Sequence, residues 1–225
     1  MSTPLNPGHG AESDRWYATY RDERLVARRM SSHGRKLRQL GAFDLSHDSR
    51  ILDVACGTGE ALELLHDAGF TSLYGSDVMV DPELSAKPWV TVVQADAVTL
   101  PFENDSFDAV VCMHSLHHLG GLARICRTFE ESLRILKPGG RLMLLDHYDS
   151  NQLRAVFWGL QKPWLTVTPG LKRFSEQHEE EWPYMYEYLD EWPAVRAAID
   201  ALPAERQVDR KGLFFFYWAG RKRVP

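Results

Sequence analysis

Short apolar runs alternate along this chain with longer segments whose apolar positions are three or four residues apart. The runs are at residues 50–55, 72–77, 90–95, 107–113 and 141–147. Most of them are continuously apolar, which is typical of strands that are covered on both faces. The pattern therefore predicts five strands of one mostly parallel sheet.

The segments between these runs predict helices. Residues 59–68 and 122–136 have helical spacing, and the second is followed by KPGG, which is expected to stop it. Residues 14–45 show the same spacing, with Gly41 near the predicted end. Strands that alternate with helices are typical of a doubly wound α/β sheet with helices on both faces.

The alternation ends after residue 147. Residues 148–192 are rich in aromatic side chains, and the chain closes with RQVDRK-G-LFFFYWAGRK. This closing stretch predicts a hairpin of two antiparallel edge strands.

Composition limits the classes of protein that this chain can represent. With 225 residues, of which 44% are hydrophobic, it can form one sizeable core but hardly two domains. The net charge of -5 gives no basic field that would suggest a nucleic-acid partner. Basic residues at 15–38 and acidic residues at 176–191 indicate either two solvated helix faces or an interaction patch.

Cysteine usage and the N-terminus give an expectation of cellular location. Cys56, Cys112 and Cys126 form no C-x-x-C pair, and two of them lie in apolar runs. Buried, reduced thiols in a cytoplasmic protein are expected. Residues 1–13 lack the apolar stretch of a signal peptide and are expected to form a flexible tail, and no run is long enough to span a membrane.

The glycine-rich turn GTGEAL directly follows the first predicted strand. A dinucleotide fingerprint requires a third glycine where this chain has Leu62, and Glu60 in the first helical turn would repel a pyrophosphate. Asp53 ends the first strand, where a carboxylate suits a ligand with an ammonium group or hydroxyl groups. These residues disfavour NAD as the ligand.

Two more acidic residues end the next two predicted strands. Asp77 ends the second strand, where a carboxylate can accept hydrogen bonds from both hydroxyls of a ribose. Asp96 ends the third strand and could meet an adenine amino group. A single acid in such a place more often caps a helix or forms a turn. Asp53, Asp77 and Asp96 together place an acid at each of three successive strand ends. This arrangement favours a nucleoside ligand.

The ordered set ILDVACGTGEAL, YGSDVM, VQADAVTLPFENDSFDAVVCMHSLHHL and SLRILKPGGRLMLLD resembles class I S-adenosylmethionine-dependent methyltransferases. Within that family it looks most like the small-molecule group of quinone-biosynthesis and natural-product enzymes, and the resemblance covers residues 45–147. It implies a Rossmann-like seven-stranded mixed sheet, mostly parallel with the last strand antiparallel, and a small helical cap. It also implies S-adenosylmethionine as the cofactor.

By this resemblance the chain is one methyltransferase domain at residues 14–225. Its parts would be N-terminal cap helices at 14–45, a cofactor-binding core at 46–147, a substrate lid at 148–200 and the C-terminal hairpin at 203–221.

The resemblance also assigns cofactor contacts to the ends of the first four strands. The methionine part would be lined by Asp53, Ala55, Cys56, Gly57 and Gly59, and again by Met113 and His114. The nucleoside would be held by Asp77 at the ribose, Val78 and Met79 beside the adenine, and Asp96 and Ala97 at the adenine edge. No chemistry is assigned to Cys56.

The HSLHHL stretch after the fourth strand supplies candidate bases. Related sugar O-methyltransferases use the matching histidine with an acid, which here implies His117 as base oriented by Asp146, with His118 as the second candidate. A role in helix capping or loop packing is the alternative. Zinc could suit the spacing of His114, His117 and His118, but the family offers no metal role there, so no metal is expected.

The acceptor is defined least by the sequence. Tyr17, Tyr20 and Trp158 are candidate substrate contacts, although most aromatic residues of the lid could equally form its core. We expect methylation of a small molecule, with O-methylation favoured over N- or C-methylation because a histidine–carboxylate pair is present. The alternatives are a protein that binds S-adenosylmethionine without methyl transfer, a cyclase, or methylation of a protein or RNA.

The expected partner is therefore a small molecule, with no nucleic acid and no membrane, and the expected state is a monomer or homodimer. MHSL stands where amino-group methyltransferases of nucleic-acid bases carry N/D-P-P-Y/F.

Overall fold

The structure is a computed structural model, and it describes residues 23–162, 164–168, 171–172, 175, 179 and 181–224, with side chains from Met30 onward. The candidate substrate residues Tyr17 and Tyr20 lie outside the described residues.

Seven strands form one mixed sheet in the order β3-β2-β1-β4-β5-β7-β6. Strands β1 to β5 are parallel to one another, whereas β7 runs antiparallel to β5 and to β6. The strands are β1 (Arg50–Val54), β2 (Ser72–Asp77), β3 (Val90–Gln94), β4 (Phe107–Met113), β5 (Leu136–His147), β6 (Ala204–Lys211) and β7 (Phe215–Lys222). The expected Rossmann-like sheet is confirmed.

Helices lie on both faces of this sheet. They are α1 (Glu23–Leu40), α2 (Glu60–Asp67), α3 (Pro82–Ser85), α4 (Leu122–Ile135), α5 (Asn151–Leu160) and α6 (Trp182–Asp200). Local sequence explains several starts: Asp81 caps α3 by accepting a hydrogen bond from the backbone N–H of Glu83, and Ser150 caps α5 by accepting one from Leu153.

Two predicted boundaries differ from the structure at the start of the fifth strand. KPGG does not follow α4 as a separate turn, because α4 ends at Ile135 and Leu136 already pairs with Phe107 of β4. The KPGG residues form the first, irregular part of β5, with a register shift opposite the start of β4. Strand pairing has therefore extended β5 toward α4 beyond the apolar run at 141–147.

The closing hairpin is present, but the prediction that both of its strands are edge strands is wrong. β7 lies between β5 and β6, and its residues 216–220 are buried. β6 alone is at the edge, and it is largely exposed and charged, as edge strands usually are.

Apolar side chains pack on each face of the sheet. On one face Phe129 of α4 and Leu189 of α6 belong to one buried cluster, and on the other Leu37 of α1 and Leu65 of α2 belong to a second. Trp192 of α6 packs on Phe216 of β7, with ring centroids 4.8 Å apart. α6 therefore covers the sheet, and a lid role for residues 148–200 stays a prediction.

Candidate active site

The turn after β1 has a backbone that brings peptide groups to the carboxyl edge of the sheet. Ala55, Gly57 and Gly59 have φ values of 56°, 53° and 79°, which favour glycine. A Cβ atom on Gly59 would lie 2.5 Å from Cδ1 of Leu84. The second glycine is therefore required both by its backbone angle and by the packing of α3 against the turn.

Asp77 joins this turn to the loop after β2. One carboxylate oxygen accepts a hydrogen bond from the backbone N–H of Gly57 at 2.8 Å, and the other accepts one from Met79 at 3.0 Å. Each oxygen of a carboxylate can accept more than one hydrogen bond. Asp77 can therefore hold the turn in place and accept ribose hydroxyls as well.

Asp53 is buried directly beneath the turn. Burial, together with the negative charge of Asp77, raises the pKa of the Asp53 carboxyl to about 8. A buried acid of this kind becomes ionised when a positive charge is placed beside it. The acids at the ends of β1 and β2 thus suit a ligand that carries an ammonium group and vicinal hydroxyls.

Asp96 follows β3 as predicted, but a basic side chain already faces it. Arg124 Nη2 lies 2.7 and 2.8 Å from the two carboxylate oxygens, and Val98 donates its backbone N–H to one of them at 3.2 Å. An adenine amino group would have to share these oxygens with Arg124. The spacing of the sequence gave no indication of this contact, because Arg124 lies on α4, beyond the fourth strand.

His117 and Asp146 are brought together at the ends of β4 and β5. Nδ1 of His117 lies 2.8 Å from Oδ1 of Asp146, and the side chains are 6% and 0% exposed. Asp146 also accepts backbone hydrogen bonds from Leu116 at 2.7 Å, His117 at 3.3 Å and His147 at 2.7 Å. The carboxylate is therefore fully buried and bound by donors on both oxygens.

These contacts set the charges of the pair. Burial raises the pKa of Asp146, but the charge and hydrogen bond of His117 outweigh burial and hold it well below its usual range. Burial lowers the pKa of His117, and the Asp146 carboxylate outweighs this, so that the net direction is upward. An ionised Asp146 therefore accepts a hydrogen bond from Nδ1–H of His117.

His117 also lines a small cavity between the loop at 116–121 and α6, which includes Tyr184 and Tyr188. The ring of His118 lies 4.0 Å from that of His117, centroid to centroid. With Nδ1 directed at Asp146, Nε2 of His117 is the nitrogen available to a group in the cavity. Of the three histidines in HSLHHL, His117 is the one that Asp146 orients.

His114 lies in a different setting from the one the sequence suggested. Nζ of Lys36, on α1, is 2.7 Å from Nε2 of His114 and 4.0 Å from the centroid of the Phe215 ring. Burial, and next the charge of Lys36, hold the pKa of His114 well below its usual range, so the imidazole is neutral. Burial lowers the pKa of Lys36 to about 8.

His147 completes the cluster beside Asp146, and its ring lies 4.6 Å from that of Phe215. Lys36, His147 and Phe215 were not predicted from the sequence as site residues. For His147 a signal existed, since it directly follows Asp146 in LMLLDHY. No local pattern could link Lys36 to His114, since 78 positions separate them.

Ligand atoms of His114, Asp146 and His147 lie within 4.8 Å of one another, a spacing that could hold a metal ion. However, the Lys36 ammonium group faces His114, and the Asp146 oxygens already accept several hydrogen bonds. These contacts disfavour a cation, and the expectation of no metal stays a prediction.

Trp158 does not point toward this cluster. It is 53% exposed and its ring contacts that of Trp164. The adjacent Phe157 is buried, with its ring 5.9 Å from that of His147. The substrate role of Trp158 stays a prediction, and Phe157 is an aromatic residue near the site that the sequence did not single out.

Comparison with known proteins identifies the family. The family model described as "Methyltransferase domain" matches residues 52–144. The 2-phytyl-1,4-naphtoquinone methyltransferases of Nostoc punctiforme and Trichormus variabilis are 32% and 31% identical to the chain over 57% of its length. The matches cover 66% and 67% of those relatives. The chain belongs to the class I S-adenosylmethionine-dependent methyltransferases.

Other members of the methyltransferase family match a smaller part of the chain. The 27-O-demethylrifamycin SV methyltransferase of Amycolatopsis mediterranei is 32% identical over 48% of this chain and 42% of its own length. Among solved structures, a Pyrococcus horikoshii protein superposes with a TM-score of 0.65 over 95% of this chain and all of its own, at 21% identity. That structural likeness shows the fold.

The cofactor of this family is S-adenosylmethionine, and the acids and the turn at β1 and β2 fit it. Its amino acid part carries an ammonium group for Asp53, and its ribose carries two hydroxyls for Asp77. The turn at 55–59 allows close approach of backbone.

Proposed function

We propose that this methyltransferase methylates a hydroxyl group of a small, largely apolar acceptor, with His117 as the base. The observation that carries the proposal is the buried contact of 2.8 Å between Nδ1 of His117 and Oδ1 of Asp146. A histidine oriented by a buried carboxylate can take a proton at its other nitrogen. An amine or an activated carbon would need such a base less.

The protein's part in this reaction is to hold groups and to move one proton. Asp146 holds the Nδ1–H tautomer of His117, so that the Nε2 lone pair receives the acceptor proton. Asp146 then stabilises the imidazolium ion that results. Because the pKa of His117 is raised, the base is fully available only above the ordinary titration range of histidine.

Residues at the ends of the first four strands would hold the cofactor. Bound S-adenosylmethionine supplies a methyl group that is already electrophilic. Asp53 would face its ammonium group, Asp77 its ribose hydroxyls, and Asp96 the adenine edge beside Ala97, Val78 and Met79. Ala55, Cys56, Gly57 and Gly59 would contribute backbone, and Met113 and His114 would close the methionine side.

The acceptor class is inferred from the surroundings of the histidines and from the relatives. Phe157, Tyr188 and Phe215 all lie within ring-contact distance of His147 or His117. Aromatic walls of this kind suit a planar or lipophilic compound. Among the names of the relatives, a naphthoquinone supports a planar acceptor although it carries no hydroxyl group, and a 27-O-demethylrifamycin supports methylation at oxygen. A hydroxylated quinone or polycyclic phenol is therefore the acceptor class that we propose.

The test has two stages. Calorimetric titration of the purified chain with S-adenosylmethionine and S-adenosylhomocysteine, with NADH as control, measures cofactor binding. Release of S-adenosylhomocysteine is then followed with hydroxynaphthoquinones, phenols and matched amines as acceptors. Turnover with hydroxyl acceptors supports the proposal. Turnover with amines alone contradicts O-methylation, and tight binding without turnover on any acceptor favours a binding protein or cyclase.

Asp77→Ala should weaken S-adenosylmethionine binding by roughly 10- to 100-fold. The change removes hydrogen bonds to a charged group, worth about 1.5–3 kcal/mol, and releases the backbone N–H of Gly57. Calorimetric titration measures the dissociation constant. Asp105→Ala is the matched control, since Asp105 pairs with Lys222 before the start of β4, at the opposite edge of the sheet. Equal affinity of the wild type and Asp77→Ala would refute the ribose role.

Affinity for S-adenosylmethionine should rise with pH up to about 8 because Asp53 must ionise to face the ligand's ammonium group. If only ionised Asp53 binds, the gain approaches about tenfold per pH unit below this value. Asp53→Asn should remove this part of the pH dependence. Titration of the ligand itself is common to both proteins and cancels in their ratio. Parallel affinity–pH curves for the two proteins would exclude the role of Asp53.

The raised pKa of Asp53 also affects the stability of the free protein, which should fall as pH rises, whereas affinity for the cofactor should rise. The folded chain retains a proton on Asp53 that the unfolded chain loses above its ordinary pKa near 3.8. Without ligand, Asp53 therefore costs stability increasingly as pH rises from about 4 to about 8, and Asp53→Asn should be the more stable protein at pH 8 in urea unfolding.

A further inference from the structure

Exposed apolar side chains are concentrated in one stretch of the chain. Among the residues with described side chains, eight large hydrophobic ones are exposed, and six of these lie between positions 156 and 171. The six are Val156, Trp158, Trp164, Leu165, Val167 and Leu171. We call these six side chains the 156–171 surface. Patches of this kind mark contacts with a protein or a membrane.

The helix that begins this surface is apolar on both sides. Leu153 and Phe157 of α5 are buried against the protein, while Val156 and Trp158 on its outer side are 43% and 53% exposed. A helix that faces water normally carries polar residues there. Trp164 and Val167, which follow α5, are 65% and 76% exposed. Exposed polar residues lie at the start of α5 and just after its end, but Val156, Trp158, Trp164 and Val167 present apolar side chains to water.

The charged residues within this stretch of the sequence have one sign, although Arg154 is paired with Asp149 and Asp190, which lie outside it. Residues 151–175 contain four basic residues and no Asp or Glu, in a chain whose net charge is -5. Nζ of Lys162 lies 5.3 Å from the ring centroid of Trp158. Trp158 and Trp164 meet edge to face, with centroids 6.2 Å apart. Four glutamates at 176–181 follow in the sequence and limit the basic stretch on that side.

Tryptophan beside lysine is characteristic of the boundary between lipid headgroups and acyl chains. The indole rings remain at the level of the headgroups, and the ammonium group reaches toward lipid phosphate. None of the described helices is long and apolar enough to cross a bilayer. The surface therefore suits a protein that lies on a membrane.

We propose that the 156–171 surface docks on the surface of a lipid bilayer that contains anionic lipid. This revises the expectation of no membrane partner that the sequence analysis gave. Phe157, on the inner side of the same helix, contacts His147 beside Asp146. If the proposed function holds, docking places the acceptor site close to a bilayer from which a lipophilic acceptor can enter.

The test uses the full chain and vesicles of defined composition. Wild type, Trp164→Ser/Val167→Ser and the control Leu213→Ser/Val224→Ser are sedimented with phosphatidylcholine vesicles and with mixed phosphatidylcholine–phosphatidylglycerol vesicles. The control removes two exposed apolar side chains outside the surface, which are 64% and 71% exposed. All four positions are exposed, so each variant should fold, and far-ultraviolet circular dichroism checks this.

We expect the wild type and the control to sediment with the mixed vesicles. The Trp164/Val167 variant should bind these vesicles at least roughly tenfold more weakly. Salt should weaken the binding of the wild type. Equal binding by all three proteins, or no sedimentation of the wild type with either vesicle, overturns the proposal. So does a wild-type dimer that the Trp164/Val167 variant alone dissociates, without vesicle binding, since the surface would then join two copies. Methyl transfer is not measured, so the outcome does not depend on the proposed function.

Discussion

His117→Gln is expected to lower kcat by roughly 10²- to 10⁴-fold, the range that a positioned base contributes. Glutamine can still donate its amide N–H to Asp146 but cannot accept a proton at neutral pH. His117 is not among the proposed cofactor contacts, so the dissociation constant of S-adenosylmethionine should not change. Single-turnover assays with the best hydroxyl acceptor measure the loss, and thermal unfolding checks the fold.

The pH profile provides a second measurement on the same variant. Since the base acts in its neutral form and its pKa is raised, wild-type kcat should rise with pH through a value above 6.5 and then level off. That rise should be absent in His117→Gln. The matched control is His118→Gln, because the His118 ring packs at a tilt against that of His117, whereas Asp146 binds His117. If His118→Gln loses activity and His117→Gln retains it, the base has been assigned to the wrong histidine.

Asp146→Ala is expected to reduce the free energy of unfolding by about 3–5 kcal/mol, the cost of removing one member of a buried charge pair. The backbone N–H groups of Leu116 and His147 would lose their acceptor, as would Nδ1 of His117. Asp146→Asn keeps an acceptor oxygen and should cost less. Urea unfolding measures both variants. A surface acid, Asp209, which pairs with Arg196 and Arg206, supplies the control Asp209→Ala, with an expected cost of about 1 kcal/mol or less.

The difference in free energy of unfolding between wild type and Asp146→Ala should depend on pH. The dependence follows from the pKa shifts of Asp146 and His117. The pKa of Asp146 is lowered on folding, so its contribution is present above about pH 4 and is lost only in stronger acid. The pKa of His117 is raised, so its contribution is complete below about 6.5 and is lost as pH rises through the folded value. The stability gap between wild type and Asp146→Ala should therefore narrow above neutral pH. A gap that widens there would contradict the assigned pair.

Much of the sheet could be predicted because its strands are buried on both faces. A continuous apolar run gives a strong local signal, and the strands at 72–77 and 107–113 occur with the predicted bounds. β7 was wrongly predicted to be an edge strand. The sequence of a hairpin does not reveal which of its two strands pairs with the rest of the sheet. Only its antiparallel pairing with β5 makes β7 an interior strand.

The first part of the site was also accessible from sequence. Parallel strands end at the same edge of a sheet, so acids at successive strand ends were expected to face one ligand, and the structure connects Asp77 to the turn through Gly57. By contrast, the partner of Asp96 was not predictable. Arg124 reaches it from α4, and the packing of that helix on the sheet has no local sequence signal.

By itself the sequence determined where most strands lie, the glycine turn and the acids at the ends of β1 to β3, because these depend on local pattern and on chain direction. The family resemblance had paired His117 with Asp146, but local pattern could not, since β5 had to lie beside β4 before a side chain at one strand end could contact the other. Tertiary structure made this contact, and it also placed Lys36 of α1 against His114. Such contacts depend on strand order and helix packing, which arise from the whole core and not from any one segment.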